Sequence, residues 1–454
     1  MKTKRLILIL ILFISPTILL MAQKNESKNS DVNAKTEKTK KGFSFGAVPA
    51  ISYDSDLGFR YGALANFYDY GDGTIYPFYK HSLFVEWSHT TKGSDLKQIK
   101  YDSEYLIPGI RITGDARLET EQAMDFYGFN GFATTYNPLF AKEGNDEYIS
   151  RMYYKMDRRT LRLRANFQGK IIGRKLRWFA GLSHYNISLD SVNVSKLNEG
   201  KTGDKILPKV DGLYDEFIKQ GIIPASQANG GRVTNFSVGI VADTRDNEPN
   251  PNKGIWSEAM VVMSPKFLWN DNPFYKIVLS HRQYFTLFPG RLTFAYRLNY
   301  QTSLGSKSMP WYMLNYTFST FDDREGLGGS KTLRGVIRNR VVGEGFALGN
   351  FEFRWKFAKF EFLKQNWYLA LSPFVDMAMI TKPYKPTENF QIPIPEGFTK
   401  TDDGLHLSYG MGLHVALNQN FIVAVDYGMA AFKGKDINKN DGKQGIYIGL
   451  DFLF

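Results

Sequence analysis

Residues 291–301 read RLTFAYRLNYQ. Leu292, Phe294, Tyr296, Leu298 and Tyr300 fall on one side of an extended chain, and Arg291, Thr293, Ala295, Arg297, Asn299 and Gln301 on the other. Side chains of a strand alternate between two faces, so a period of two marks a strand with one apolar and one polar face. The stretch before it repeats the pattern, with Tyr275, Ile277, Leu279, Phe285 and Leu287 set against Lys276, Ser280, Arg282 and Thr286. Leu161, Leu163, Ala165 and Phe167 likewise oppose Arg162, Arg164, Asn166 and Gln168. At the end of the sequence Ile446, Ile448, Leu450, Phe452 and Phe454 share a face.

A soluble sandwich alternates too, with its apolar face inside. Two features favour the opposite arrangement. The polar faces carry bulky Arg, Lys and Asn, which suit a wet interior. The connections are also asymmetric. Tight links such as Ile107-Pro108-Gly109, Gly173-Arg174-Lys175, Pro289-Gly290 and Asn418-Gln419-Asn420 alternate with long ones near 121–157, 189–231, 305–345, 380–404 and 433–442. Short turns at one end and long loops at the other belong to outer-membrane barrels. Only helices and closed barrels satisfy their backbone groups in lipid. After the first 23 residues no stretch of 18 apolar residues offers a helical span. The pattern predicts an all-β, sixteen-stranded antiparallel transmembrane barrel over residues 42–454, with both termini periplasmic and every long loop outside. Trp87, Trp178, Trp311, Trp367 and Tyr368 are expected in the interfacial girdles.

The start, MKTKRLILILILFISPTILLMAQ, has Lys2, Lys4 and Arg5 ahead of an apolar core and small residues near 22, the layout of a cleaved signal peptide over 1–23. Losing it lowers the formal net charge from +12 to +9. Residues 24–41 contain no aromatic and read as a polar linker. Export makes nucleic acid an unsuitable counterpart for the positive charge and points to anionic lipids or lipopolysaccharide. The chain has no cysteine, which excludes disulfides, thiol chemistry and lipid-anchored acylation. Six scattered His offer no metal centre, and no cofactor is expected. One G-x-S-x-G match, Gly42-Phe43-Ser44-Phe45-Gly46, opens a strand without the following helix that a nucleophile elbow requires, so no enzyme is expected.

The segment GLGGSKTLRGVIRNRVVGEGFALGNFEFRWKF, residues 326–357, resembles the BamA/TamA-like superfamily of barrels, also called bacterial surface antigen proteins. Leu333-Arg334-Gly335 resembles its Arg-Gly loop motif, with Val336 where the family has an aromatic. Phe374-Val375-Asp376 resembles its later strand motif, with Ala378 in place of Gly. Asp243, Arg245 and Asp246, followed by Pro251 and Gly254, resemble its mid-barrel turn, and Phe452 and Phe454 its C-terminal targeting signal. The resemblance implies that the sixth long loop folds into the lumen. With 18 residues between signal and barrel, it also implies a barrel-only member without POTRA domains. Parity points Glu352 and Asp376 inward, so Arg334 is expected to bind both and lock the loop, with Gly335 beside it. The turn Asp243–Asp246 is expected to be structural, capped by its own side chains. Asp322-Asp323-Arg324-Glu325 is read as a solvated loop run, His89, His184 and His406 as interfacial polar residues, and Phe126–Asn130 as packing either into the lumen or against other loops. The family resemblance implies assembly or translocation of outer-membrane proteins or lipids, with client barrels and periplasmic or lipoprotein partners. A passive channel plugged by the loop and a surface adhesion barrel are the alternatives.

Overall fold

A computed structural model describes residues 41–454, apart from 77–78, 249, 306, 363–364, 388–389, 393–398, 418–420, 433–438 and 451. The signal segment and the linker up to residue 40 therefore lie outside the described residues. Sixteen antiparallel staves close into a barrel. The first stave is split into β1 (Phe43–Pro49) and β2 (Ser52–Asp54). Next come β3 (Gly58–Asp69), β4 (His81–Thr90), β5 (Ser94–Ile107), β6 (Ile110–Asp125), β7 (Lys155–Ile172), β8 (Leu176–Asp190), β9 (Gly230–Asp243), β10 (Gly254–Ser264), β11 (Phe274–Phe288) and β12 (Leu292–Leu304). The long loop 305–344 carries a small hairpin, β13 (Tyr316–Thr317) with β14 (Arg324–Glu325). The last staves are β15 (Gly345–Phe362), β16 (Gln365–Lys382), β17 (His406–Leu417), β18 (Phe421–Ala430) and β19 (Gln444–Leu450). Among the described residues no helix is long and apolar enough to cross a membrane; the crossing elements are strands.

Alternation along each stave matches the expected faces. On β12, Thr293, Ala295, Arg297, Asn299 and Gln301 are buried inside, and on β15 Phe353, Trp355 and Phe357 are exposed outside. Two girdle expectations change: Trp311 is 1% exposed within a cap of loops, and Tyr368 is 7% exposed inside the lumen. That cap closes the long-loop end. Phe126 packs edge-on against Phe129, Tyr214, Phe217 and Trp311, so the 126–130 segment goes to the loops. Asn130 bonds the backbone of Val342 and Tyr384 and so ties three loops together. Burying rings of this size removes a large apolar area from water, which makes the cap a cohesive body of its own.

The joint that closes the barrel is its narrowest. β19 meets β2 over two residue pairs, Tyr447↔Asp54 and Ile448↔Tyr53, supplemented by Ser55 bonding the Ile446 backbone. β1 pairs with β3 alone, so its other edge has no partner strand among the described residues. The last strand also ends sooner than expected. It stops at Leu450, and Phe452 and Phe454 turn into the lumen instead of continuing the lipid face. The register would set residue 452 opposite Pro49. The pairing with β2 has already ended before that point, at Ile448↔Tyr53.

Asp56 sits in the turn 55–57 beside this joint, and its Oδ2 is buried without a hydrogen-bond partner among the described residues. Burial, reinforced by Asp54 and Asp125, pushes its carboxyl up to about 8. Such a group takes up a proton on folding, so the barrel loses stability as pH rises from about 4 toward 8. Asp56→Asn is expected to raise the melting temperature, with a larger gain at pH 8 than at pH 5. Equal gains at the two pH values would contradict the assignment.

Candidate functional site

The loop 305–344 enters the lumen and meets the wall at Arg334, whose side chain is fully buried. Strand parity brings Glu352 of β15, Asp376 of β16 and Asp426 of β18 to the same interior point. The Arg334 guanidinium donates Nε to Asp376 Oδ2 at 2.9 Å and Nη2 to Asp376 Oδ1 at 3.1 Å, a bidentate fork. Its Nη1 reaches both Glu352 Oε2 and Asp426 Oδ2 at 3.1 Å. The Arg334 backbone N–H adds a third bond to Asp376, and the guanidinium lies 3.4 Å above the Phe374 ring. Around it, Arg354 donates to Glu352 at 2.9 Å, and His414 lies 3.2 Å from Asp426.

Gly335 explains why the loop can come so close. Its φ is +95°, and a Cβ there would sit 2.5 Å from the backbone of Gly428 on β18. A Cβ on Gly428 would in turn strike the Arg334 carbonyl. The two glycines let loop and wall meet backbone to backbone, and Gly335 N–H donates to the Tyr447 hydroxyl at 3.1 Å. Asp426 was missed in the sequence reading. Its signal was there: a lone acid at an inward position of the apolar strand Phe421–Ala430.

The run Asp322–Glu325 is not solvated. Asp322 pairs with Arg162 at 2.9 Å and Lys100 at 3.4 Å, Asp323 with Arg164 at 3.3 Å, and Glu325 with Arg158 and Arg338. Glu258 of β10 joins the same system, accepting from Arg282 and from the Thr320 backbone. The basic wall of β5 to β7 is thus matched to the acids of the loop. In a lumen of reduced dielectric these pairs are less screened than surface pairs. Asp322 is held well below the usual carboxylate range, chiefly by Lys100, Arg117 and Arg162 against the cost of burial.

His406 also departs from the interfacial position expected of it. It is fully buried, bonded by Asp441 at Nδ1 and Asp403 at Nε2, each at 2.8 Å, and stacked on Phe132. His89 bonds Asp95 and His184 bonds Thr234, both half-buried. At the short-turn end Asp243 holds Arg245 through two bonds of 2.9 and 2.6 Å. Asp246 caps the backbone N–H groups of Asn247, Asn252 and Lys253. Gly254 has φ +106°, and a Cβ there would sit 2.3 Å from the Thr244 carbonyl oxygen. The turn also reaches across the barrel mouth, because Asn250 donates to the Tyr368 hydroxyl on β16 and Lys356 of β15 donates to Asn252. The G-x-S-x-G match lies on β1 with its phenylalanines exposed. Among the described residues no group of three or more His, Asp or Glu is placed to hold a metal ion.

The sequence matches the Omp85 superfamily domain over residues 90–454. The chain belongs to the Omp85 superfamily. Its fold resembles BamA from Haemophilus ducreyi lacking POTRA domains 1–3, with a TM-score of 0.53 and 15% identity, over 91% of this chain and 71% of that one. It also resembles CdiB from Escherichia coli, with a TM-score of 0.53 and 10% identity, over 92% of this chain and 64% of that one, less than two thirds of its length. At these identities the likeness is one of fold. No curated protein matches the sequence. As an Omp85 barrel the protein is an outer-membrane protein, and the Arg334 site lies where its infolded loop meets the wall.

Proposed function

We propose that this Omp85 barrel assembles or translocates other outer-membrane components, proteins first and lipids second, through the joint between its first and last staves. One observation carries the reading: among the described residues the joint closes over two residue pairs and leaves the β1 edge without a partner strand. Unpaired backbone groups at membrane depth cost several kcal/mol. An exposed strand edge is a template for an added strand. A polypeptide pairing with Phe43–Pro49 would satisfy those groups, and a narrow joint opens at low cost. The infolded loop, bound through Arg334 to β15, β16 and β18 and through Gly335 to Tyr447 of β19, braces the wall on the last-stave side of that joint.

The proposed setting has residues 1–23 as an export signal and 24–41 as a linker, with the short-turn end facing the periplasm. Client barrels, periplasmic or lipoprotein partners and lipopolysaccharide are the interacting species, without nucleic acid and without catalysis. A passive channel fits less well, because the basic lumen is already matched by the acids of the loop and the loop cap covers one end. A surface-binding role draws on a cavity of about 540 Å³ in that cap, lined by Gln227, Asp271, Lys307 and Lys385 from four loops. Depletion followed by quantitative outer-membrane proteomics separates the readings. Protein assembly predicts a broad fall in other barrels together with periplasmic stress; an unchanged barrel inventory would rule that out and leave lipid transport, passive conductance or a surface role.

A further inference from the structure

We infer that the cavity of about 540 Å³ in the loop cap binds an acidic oligosaccharide, one that carries carboxylate or phosphate groups. Gln227 reaches it from the loop 191–229, Asp271 and Asn272 from 265–273, Lys307 from 305–344 and Lys385 from 383–405. The volume lies within the range of about 300–1,000 Å³ that small-molecule sites occupy.

The walls are fixed before any ligand arrives. Tyr384 lines the cavity but is fully buried, its ring centroid 4.6 Å from that of Phe129 and 5.7 Å from that of Phe390. Asn270 ties the 265–273 wall to β9, accepting from the Thr234 N–H at 2.8 Å and donating to the Thr234 carbonyl at 2.7 Å. Ser308 donates to the Lys385 carbonyl at 2.5 Å and joins two of the rims. Pro224, Pro273 and Pro386 restrict φ in three of the four walls. A site already held in shape loses less conformational freedom on binding.

The group that carries the inference is Gln227, which lines the cavity and is 8% exposed. Its Oε1 accepts the Trp311 backbone N–H at 3.1 Å, which sets the direction of the amide. Its backbone carbonyl accepts the Trp311 indole N–H at 3.0 Å. Both Nε2 hydrogens are left without an acceptor among the described residues. A largely buried amide with its acceptor engaged and its donors free is a hydrogen-bonding arm for a ligand's oxygen. Lys307 and Lys385 are exposed, and neither ammonium has a carboxylate within ion-pair distance among the described residues.

This donor set selects the ligand. Two ammoniums and the Gln227 amide stand against one carboxylate, Asp271, so the occupant is rich in acceptors and negatively charged. Among the described lining residues Tyr384 is the one aromatic ring, and it presents no open face on which a nucleobase could stack. An acidic sugar meets each condition. Its anionic groups face the lysines, its ring and hydroxyl oxygens accept from Gln227, and its hydroxyls donate to Asp271. In the orientation proposed above the cavity opens at the cell surface; the site itself does not rest on the assembly reading.

The test is calorimetric titration of the detergent-solubilised protein with trigalacturonate, against maltotriose as the uncharged trisaccharide. Trigalacturonate is expected to bind and maltotriose is not. Lys307→Gln/Lys385→Gln should weaken binding by about tenfold or more. Lys205→Gln/Lys209→Gln, at exposed lysines elsewhere in the cap, should bind like wild type. Gln227→Glu keeps the acceptor for Trp311 and replaces the donors with a carboxylate oxygen, so it should also lose about tenfold or more. Should that variant fail to fold, the exposed lysine pair carries the test. No trigalacturonate binding, equal binding of maltotriose, or the same loss in both lysine pairs would overturn the site. Competition then names the source. Equal displacement by lipopolysaccharide and by its delipidated core oligosaccharide places the ligand on a surface glycolipid, and displacement by neither places it in a free acidic polysaccharide. Displacement by intact lipopolysaccharide alone would show that acyl chains carry the binding and would overturn the sugar site.

Discussion

Arg334→Ala should detach the infolded loop and cost about 3–5 kcal/mol, because it leaves Glu352, Asp376 and Asp426 buried without their shared cation. The loss falls hardest on Asp376: Glu352 keeps Arg354 and Asp426 keeps His414, while Asp376 loses all three of its bonds from Arg334. Three readouts should move together. Protease should cleave within 305–344, the folded band should lose its resistance to mild heating, and refolding yield should fall. Arg334→Lys should recover part of the loss, since an ammonium restores the charge but cannot span Asp376 with a two-pronged fork. Unchanged protease sensitivity and heat-modifiable migration in Arg334→Ala would show that the loop is held elsewhere, by the Asp322–Glu325 pairs.

Closing the joint covalently should abolish function if the assembly reading holds. Tyr53 and Ile448 stand directly opposite each other, both with outward-facing, partly exposed side chains. Facing residues of an antiparallel pair have Cα atoms about 4.5–5.5 Å apart, within the range a disulfide spans. The chain has no cysteine of its own, so Tyr53→Cys/Ile448→Cys can form only this one intramolecular bond. The oxidised protein should fold normally and lose at least tenfold in its ability to support other barrels, with activity returning on reduction. Full activity in the oxidised state would show that the joint does not need to open.

Much of this site was legible before any coordinates. Parity alone placed Glu352 and Asp376 in the lumen, because neighbouring residues of a strand must point to opposite faces. Position in the Arg-Gly motif singled out Arg334, and Gly335 beside it. The strand count and the long-loop asymmetry located the loop 305–344 to within a residue of its observed ends. Other parts were read wrongly from equally local cues. Asp322–Glu325 looks like a solvated charge run because its own neighbours are polar; its partners Arg158, Arg162 and Arg164 lie some 160 residues away on β7. Trp311 looks like a girdle residue until the loops of 126–154 and 191–229 fold over it. His406 looks superficial until Asp403 and Asp441 converge on its two nitrogens.

The sequence by itself determined which face of each strand is wet, how many staves there are and which loop is long enough to turn inward. These follow from the period of two and from chain length, which act within a single element. Tertiary structure decided which groups meet across the lumen: Asp426 with Arg334, the acids of the loop with the basic wall, and Phe452 and Phe454 with Arg354. Those encounters depend on register and on closure, which set distances between residues hundreds of positions apart. The last strand reads as continuing to Phe454 on the lipid face, yet Phe452 and Phe454 are buried against lumenal side chains.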